Sequence, residues 1–225
     1  MTHMIKKLAR RHLTAAVRNG LHGLIREFQG MRMHRRGVRE ATRFHNKVDL
    51  KLHLGCGTNL KPGFINIDLN DKADLTLDLR EPLPLPDNSC VLVYSEHFLE
   101  HIEYPGTALS LLRDCYRVMR PGGIFSGGVP DTEWPLLEYA GVRQQGYFKL
   151  AKQRWHPEWC VTEMEQINFH FRQGEEHRFA YDFKTLCRIL GQAGFVDIRR
   201  RAFQPDLDSS KWKEGTLYVD AIKPS

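Results

Sequence analysis

The chain has 225 residues with 41% hydrophobic and 27% charged side chains, a composition typical of a globular domain in water. No apolar run approaches the roughly 18 residues of a membrane span, and no signal-peptide pattern is present. The five cysteines are scattered singly without a CxxC pair, which argues against a disulfide framework and against a zinc site and fits a reducing cytosol, so the sequence predicts a cytoplasmic protein.

The net charge of +6 is unevenly distributed. Residues 1–48, here called the arm, contain twelve basic and two acidic residues, a net charge of +10, so the remaining body is mildly acidic. Apolar residues recur along the arm at helical spacing, and glycines at positions 20, 23 and 30 predict interruptions of that helix. The pattern fits a solvated tail, a peripheral contact with an anionic membrane, a phosphate contact with RNA, or an organelle transit peptide.

Residues 50–68 read LKLHLGCGTNLKPGFINID, which predicts a strand, a glycine turn and a second strand that ends in an acid. Gly55 and Gly57 permit positive φ and bring the backbone close to a ligand, and exposed N–H groups in such a turn favour a carboxylate or another anion. An acid such as Asp68 at the end of the next strand accepts hydrogen bonds from ribose hydroxyls. The stretch is therefore interpreted as half of a nucleoside-binding site.

The elements that follow alternate between strands and helices. Residues 73–79 predict a strand near the sheet edge, 80–89 a proline-rich loop, and 90–94 a central buried strand followed by Ser95-Glu96-His97. Helical periodicity then runs to a Pro-Gly-Gly breaker at 121–123, and a strand at 124–129 follows.

Residues 132–178, here called the insertion, lose this periodicity and collect aromatic side chains, which are interpreted either as a small core of their own or as a stacking surface for a sugar or flat ring. A helix with Asp182 as its N-cap and strands at 196–202 and 216–222 complete the chain. This order predicts a doubly wound, Rossmann-like α/β domain over 49–225, with the polar residues at the carboxyl ends of its strands.

Three segments in this order, LHLGCG, DNSCVLVYSEHFLEHI and LLRDCYRVMRPGGIF, resemble the class I S-adenosylmethionine-dependent methyltransferases, and specifically the type 11 group with a short first motif. The resemblance covers about residues 51–223. It implies a mostly parallel seven-stranded sheet whose last strand is antiparallel, with S-adenosylmethionine as the cofactor and methyl transfer as the activity.

The resemblance also implies a set of cofactor contacts. Gly55, Cys56 and Gly57 would hold the methionine part, Asp68 the ribose, Asp78 and Leu79 the adenine, and Ser95 and Glu96 the region near the sulfonium. The chain departs from the family pattern at His53, where an acid is usual, and at Asn59, where a small residue is usual. His53 is expected to pack beside the glycine turn. A dinucleotide-binding alternative is disfavoured because Leu60 stands where a third glycine is required.

Methyl transfer to a hydroxyl needs a base, and histidine is the usual choice. His97 follows the fourth strand and His170 lies in the insertion, so both are predicted catalytic residues, whereas His101 is expected to be structural. No group of His, Cys and Asp residues has metal-ligand spacing, so no metal is predicted.

The leading functional hypothesis is an O-directed methyltransferase for a small-molecule or saccharide-type acceptor. The alternatives are an RNA-directed methyltransferase that uses the arm, and a non-catalytic binding module with this fold.

Overall fold

The computed structural model describes residues 13–143 and 146–225. Its centre is a seven-stranded sheet in the order β3-β2-β1-β4-β5-β7-β6. The strands are β1 (Leu50–Leu54), β2 (Ile65–Asp68), β3 (Leu75–Thr76), β4 (Cys90–Glu96), β5 (Met119–Pro130), β6 (Val196–Arg200) and β7 (Thr216–Ile222).

The described α-helices flank this sheet and build the insertion. They are α1 (Ala15–Ala41), α2 (Gly106–Val118), α3 (Glu133–Tyr139), α4 (Tyr147–Arg154), α5 (Glu163–Arg172) and α6 (Phe183–Ala193). Short 3₁₀ turns lie at Thr42–Phe44, Leu99–His101, Gln173–Glu175 and Ser210–Trp212. Among these helices none combines the length and the hydropathy of a membrane-spanning segment.

The predicted fold class is confirmed. Strands β1 to β5 pair in parallel, whereas β7 lies between β5 and β6 and pairs antiparallel with both. The short strand β3 lies at the sheet edge as predicted, but it is two residues long where 73–79 were expected. Beyond it the chain turns so that the carboxylate of Asp78 can accept hydrogen bonds from Arg80.

The Pro-Gly-Gly segment ends helix α2 at Val118 as predicted, but it does not lie outside the sheet. Met119 already pairs with Cys90 of β4, and the next aligned pair is Ile124 with Leu92, so the intervening residues form an irregularity within β5. These residues suit a bulge because proline has no N–H to donate to the ladder, and because Gly122 adopts a positive φ of +74°.

The expected interruptions of the arm helix do not occur. Helix α1 is continuous for 27 residues, from an N-cap at Thr14 whose side chain accepts from the N–H of Val17. Each glycine costs about 1 kcal/mol relative to alanine in a helix, and packing at the C-terminal end offsets that cost, since Gly37 and Ala41 are buried against the domain. The predicted helical pattern of the arm also includes Ile5 and Leu8, which lie outside the described residues.

Two hydrophobic clusters form the interior. The larger one fills the sheet–helix interfaces of the domain, and the smaller one lies inside the insertion. The smaller cluster consists of Tyr147, Phe148, Ala151 and Ile167, with Trp134, Trp155 and Phe171 packed against it. Many of the aromatic residues of the insertion therefore build a core of their own, and this core holds helices α3 to α5 beside the strand ends.

Candidate active site

The glycine turn after β1 is closed by its own hydrogen bonds. The N–H groups of Gly55 and Cys56 both donate to the carbonyl of Ile67, at 2.9 and 3.2 Å, and the N–H of Gly57 donates to Oδ2 of Asp68 at 2.8 Å. These three donors are therefore satisfied within the protein, and the expected row of exposed N–H groups is not found at these positions. The turn instead fixes the carboxylate of Asp68 beside Gly57.

The two glycines of the turn have different roles. A Cβ on Gly55 (φ +64°) would lie 2.2 Å from Cγ of Phe98, so this glycine permits close packing of the Phe98 ring. A Cβ on Gly57 (φ +52°) would meet no atom within 4 Å, so only this glycine borders open space. Between them Cys56 is buried, and burial raises the pKa of its thiol to about 12, which keeps the thiol protonated and suits a packing role.

A neighbour that the sequence analysis missed supports the turn from the other side. The side-chain amide of Asn70 donates to the carbonyl of Gly57 at 2.9 Å, while its Oδ1 accepts from the N–H groups of Lys72 and Ala73. Asn70 thereby joins the turn to the loop after β2. Asparagine commonly makes such local backbone contacts in loops, but the sequence alone does not reveal that Gly57 is the partner.

Asp78 and Leu79 occupy different environments. Leu79 is part of the main core. The carboxylate of Asp78 is held by Arg80, whose guanidinium contacts both oxygens at 2.6 to 3.1 Å and also reaches Glu27 of the arm. Burial pushes the pKa of Asp78 up, but the hydrogen bonds and charge of Arg80 outweigh burial and hold it below its usual value. The predicted adenine contact is therefore an ion pair in this structure.

A cavity of about 660 Å³ lies between this ion pair and the arm helix. His34 of α1 accepts a hydrogen bond from the N–H of Asp78 at 3.2 Å, which ties the helix to the end of β3. The cavity is lined by Leu24, Glu27, Phe28, Met31, His34 and Arg35 of α1, and by Asp78, Arg80, Glu81 and Thr107 of the domain. The arm thus supplies an apolar wall on the side of the site assigned to the adenine.

Ser95 and Glu96 end β4 with different surroundings. The hydroxyl of Ser95 is buried and has no hydrogen-bond partner among the described residues, so it is a polar atom that a ligand could satisfy. Glu96 accepts from the N–H of Ser209 and from the hydroxyl of Tyr218. Burial raises its pKa. Glu96 therefore holds strand β7 and the segment before it. None of these contacts joins Glu96 to the other residues predicted to bind the cofactor.

Both predicted catalytic histidines line a second cavity, of about 270 Å³. His97 reaches it from the loop after β4, and His170 reaches it from α5 of the insertion. The other lining residues are Pro130, Arg154, Trp155, His156, Phe169, Gln173, His177, Lys211, Trp212, Glu214 and Gly215. The insertion and the segment before β7 together close this space, here called the histidine pocket.

The ring of His97 is held on three sides. Its Nε2 lies 2.8 Å from the hydroxyl of Thr216, its Nδ1 lies 3.4 Å from Oε1 of Glu100, and its plane stacks on the indole of Trp212 at a centroid distance of 4.4 Å. The backbone of His97 has a left-handed φ of +51°, which is uncommon for a residue with a side chain. These contacts fix the imidazole at the edge of the histidine pocket.

His170 presents one unsatisfied nitrogen. Its Nδ1 lies 2.8 Å from the hydroxyl of Tyr147, whereas its Nε2 is buried without a partner among the described residues. Burial, with a smaller contribution from the neighbouring histidines, lowers the pKa of His170 to about 3, so the ring is neutral at physiological pH. A neutral ring with a free Nε2 is suited to hydrogen bonding with an acceptor molecule.

His53 packs as expected. It is buried, its Nδ1 lies 3.2 Å from Oδ1 of Asn66, and its ring contacts those of Phe64 and Tyr94. Burial lowers the pKa of His53 to about 4. His101, expected to be structural, has its Nδ1 3.1 Å from the carbonyl of Glu176.

Comparison with known proteins finds similarity to methyltransferases. Residues 52–126 match the sequence family described as "Methyltransferase domain". A malonyl-[acyl-carrier protein] O-methyltransferase from a Marinomonas species is 32% identical over 116 residues, and the match spans 38% of this chain but only 42% of that protein.

Solved methyltransferase structures are similar to this chain at low identity. A methyltransferase structure from Archaeoglobus fulgidus superposes with a TM-score of 0.50 and 19% identity, covering 88% of this chain and 94% of the other. A phosphoethanolamine N-methyltransferase from Haemonchus contortus, solved with S-adenosyl-L-methionine, gives a TM-score of 0.46 and 15% identity, covering 85% and 53%.

The sheet order and the strand-end residues define a class I methyltransferase fold of the Rossmann-like type. With the family match over residues 52–126, this fold makes the chain similar to the type 11 methyltransferases, and S-adenosylmethionine is the cofactor that this similarity indicates. Asp68, the open face of Gly57 and the unpaired hydroxyl of Ser95 fit such a cofactor, since they offer a carboxylate, a space without side chains and a free polar group at adjacent strand ends.

Proposed function

We propose that this protein transfers a methyl group from S-adenosylmethionine to a hydroxyl of a small-molecule or saccharide-type acceptor bound in the histidine pocket. The observation that carries the proposal is the convergence of His97 and His170 on one cavity beside the end of β4. Since the curated relative is an O-methyltransferase by name, an oxygen acceptor is also the choice that this match favours.

The cofactor supplies an electrophilic methyl group, and the chain's own residues hold the cofactor in place. Asp68 would accept from the ribose, with its Oδ2 already positioned by the N–H of Gly57. The cavity between α1 and Asp78 would take the adenine side, with Leu24, Phe28 and Met31 as its apolar wall. Ser95 would contact the methionine side at the end of β4.

The size and lining of the histidine pocket favour a small polar acceptor. Its volume of about 270 Å³ lies just below the usual range of about 300–1,000 Å³ for ligand sites. Two indoles, Trp155 and Trp212, lie beside four imidazoles, and the ion pair between Arg154 and Glu214 closes the rim. Aromatic faces next to hydrogen-bonding groups suit a sugar ring, which has apolar faces and hydroxyl edges.

The two histidines would have different roles. In the structure the hydroxyl of Thr216 donates to the carbonyl of Trp212, so Nε2 of His97 donates to Thr216. When the acceptor hydroxyl replaces Thr216 and the ring proton lies on Nδ1 beside Glu100, Nε2 would take the acceptor's proton, and the carboxylate of Glu100 would stabilise the resulting imidazolium. His170 would orient the acceptor through Nε2 because its low pKa keeps it neutral. With the acceptor oriented by His170 and deprotonated by His97, the cofactor held by Asp68 and Ser95 would supply its methyl group to the acceptor oxygen and leave as S-adenosylhomocysteine.

The test is methyl transfer from labelled S-adenosylmethionine to a panel of sugars, small alcohols and phenols, with malonyl-acyl-carrier protein as a separate arm. Label in a hydroxyl compound, lost in His170→Gln but retained in the control His45→Gln, would support the proposal. Label only in malonyl-acyl-carrier protein would contradict a hydroxyl acceptor and indicate a malonyl thioester instead. Binding of the cofactor without transfer to any member of the panel would favour a non-catalytic module.

A second function for the arm is favoured by one observation. Three large apolar side chains on helix α1 that do not line the cavity beside Asp78 are exposed to between 44% and 47%, namely Val17, Leu21 and Ile25. Their spacing of four residues puts them on one face, and basic residues surround it. We infer that this face contacts an anionic membrane surface, since contact with RNA phosphates would not require apolar side chains.

A further inference from the structure

Glu100 is a buried acid whose charge has no full partner. It lies in the 3₁₀ turn Leu99–His101 just after β4 and is 1% exposed. Neither carboxylate oxygen has a hydrogen-bond partner among the described residues; the approach of His97 Nδ1, at 3.4 Å, is within ion-pair distance but does not make a hydrogen bond. Burying an unpaired carboxylate is costly, so such a group usually faces a cation.

Two histidines complete a cluster around this carboxylate. One ring nitrogen each of His101 and His177 and one oxygen of Glu100 lie within 4.8 Å of one another. His101 Nε2 is 3.9 Å from Oε1 of Glu100, and the two imidazoles cross edge to face at a centroid distance of 5.0 Å. Two ligand atoms of one metal ion lie at most about 4.2 Å apart, since metal–nitrogen bonds are about 2.1 Å. Small side-chain movements would therefore bring all three onto one ion.

The remaining nitrogens of both rings are already anchored. Nδ1 of His101 lies 3.1 Å from the carbonyl of Glu176, and Nδ1 of His177 lies 3.0 Å from the carbonyl of His170. A carbonyl only accepts, so each Nδ1 carries the proton and each Nε2 keeps its lone pair. Metal-binding histidines are typically oriented in this way, by a hydrogen bond from the other ring nitrogen to a carbonyl or carboxylate.

The backbone holds the two halves of the cluster together. The carbonyl of Glu100 accepts from the N–H groups of Arg178 and Phe179, at 2.6 and 3.2 Å, directly after His177 in the chain. These bonds join the turn after β4 to the end of the insertion. The arrangement is therefore built into the fold and does not depend on exposed side chains meeting by chance.

We propose that Glu100, His101 and His177 bind a divalent transition-metal ion such as Zn²⁺. Two imidazoles and a carboxylate suit this class of ion, and three protein ligands leave a coordination position for another molecule. The proposal departs from the sequence-based prediction of no metal, which considered only spacing along the chain, whereas His177 meets the other two ligands only in the fold.

The site has a direct connection to the histidine pocket, because His177 also lines that cavity. A metal ion at this position would polarise an acceptor oxygen and lower the pKa of its hydroxyl. This role rests on the proposed function, but metal binding itself does not.

The experiment uses the full, untagged chain, made metal-free by dialysis against a chelator and titrated with Zn²⁺ in competition with a chromophoric chelator. The variants are Glu100→Gln and His101→Gln, and the matched controls are Glu103→Gln and His45→Gln at exposed positions. The proposal predicts about one Zn²⁺ per wild-type chain, affinity reduced at least about tenfold in both ligand variants, and no change in the controls.

Thermal unfolding with and without Zn²⁺ gives a second readout that also reports folding. Zn²⁺ should raise the melting temperature of the wild type and the controls but not of Glu100→Gln. If Glu100→Gln does not fold, the Zn²⁺ affinity of His101→Gln tests the proposal, because His101 is only partly buried. Failure of Zn²⁺, Co²⁺ and Mn²⁺ to bind the wild type, or equal binding by both ligand variants, would overturn the proposal. Calorimetry with S-adenosylhomocysteine on the same samples distinguishes that outcome from a failure of the cofactor site.

Discussion

Gly37 of the arm helix lies directly against the backbone of Thr76 at the end of β3. A Cβ on Gly37 would fall 2.1 Å from the carbonyl oxygen of Thr76, so no other residue allows the helix to approach the strand this closely. Two more contacts extend the docking: Ala41 is buried, and the guanidinium of Arg43 donates to the carbonyl of Asp74 at 2.7 Å. The C-terminal half of α1 is therefore fixed against the sheet edge, beside the cavity that we propose takes the adenine.

The first prediction follows from this contact. Gly37→Val should displace α1 from β3 and weaken binding of S-adenosylhomocysteine by about tenfold or more, since overpacking of this kind costs 1–3 kcal/mol. Isothermal titration calorimetry measures the change. Gly23→Val is the matched control because a Cβ there meets nothing within 4 Å. Equal affinities in the two variants would mean that the arm does not contribute to the cofactor site.

The second prediction concerns Asp68. Asp68→Asn keeps an oxygen for the N–H of Gly57 but removes the negative charge that the ribose hydroxyls would meet. Hydrogen bonds to charged groups contribute about 1.5–3 kcal/mol, so affinity for S-adenosylhomocysteine should fall about ten- to hundredfold. Asp71→Asn, at an exposed position nearby, serves as the control. Undiminished affinity in Asp68→Asn would remove Asp68 from the site.

This choice of variant depends on the structure. Substitution of Gly55 is the obvious test from the sequence, but a side chain there would collide with Phe98, so lost binding would report a damaged core and not a lost contact. The sequence places the glycine turn correctly because the apolar runs on either side of it are clear strand signals. It does not show where each N–H points, because that depends on the register between Gly55 and the carbonyl of Ile67.

For the rest of the site, too, the sequence predicts the elements but not the partners of individual side chains. The sheet could be predicted because each buried strand is a local apolar run, and the arrangement of its strands followed from the family resemblance. The sequence could not predict that Arg80 holds Asp78 or that Glu96 accepts a hydrogen bond from Tyr218. These contacts depend on residues from distant parts of the chain, such as Tyr218 beside Glu96 and Glu27 beside Arg80. The approach of His170 to His97 depends on the folding of the insertion, whose sequence has no clear period.

The third prediction is a loss of stability in acid. His53 has a pKa of about 4 in the folded protein, because of burial, against about 6.5 when unfolded. Between these values the unfolded chain binds the proton and the folded chain does not, so stability is complete above pH 6.5 and decreases as the pH falls towards 4. The contribution lost by pH 4.5 is roughly 2–3 kcal/mol.

Urea unfolding at pH 7 and pH 4.5 measures this effect. His53→Gln retains a polar group for Asn66 but cannot titrate, so its free energy of unfolding should decrease less on acidification than that of the wild type. His45→Gln, at an exposed position, should behave as the wild type does. Parallel decreases in all three proteins would contradict the assignment of this pH dependence to His53.

The fourth prediction tests the exposed face of the arm. Leu21 and Ile25 are 46% and 44% exposed and do not line the cavity beside Asp78, so the double variant Leu21→Glu/Ile25→Glu should leave cofactor binding unchanged. Its binding to vesicles of phosphatidylcholine and phosphatidylglycerol should nevertheless fall, because the helix loses apolar area and gains negative charge. Co-sedimentation measures the bound fraction.

Two comparisons separate this mechanism from attraction by charge alone. Wild-type protein should bind vesicles that contain phosphatidylglycerol more strongly than pure phosphatidylcholine, since basic residues surround the apolar face. The double variant Leu21→Gln/Ile25→Gln removes apolar area without adding charge, and it should also lose binding if burial of the apolar face contributes. Retention of full binding by this neutral variant would show that charge alone is sufficient, and RNA would then become the stronger candidate for the arm.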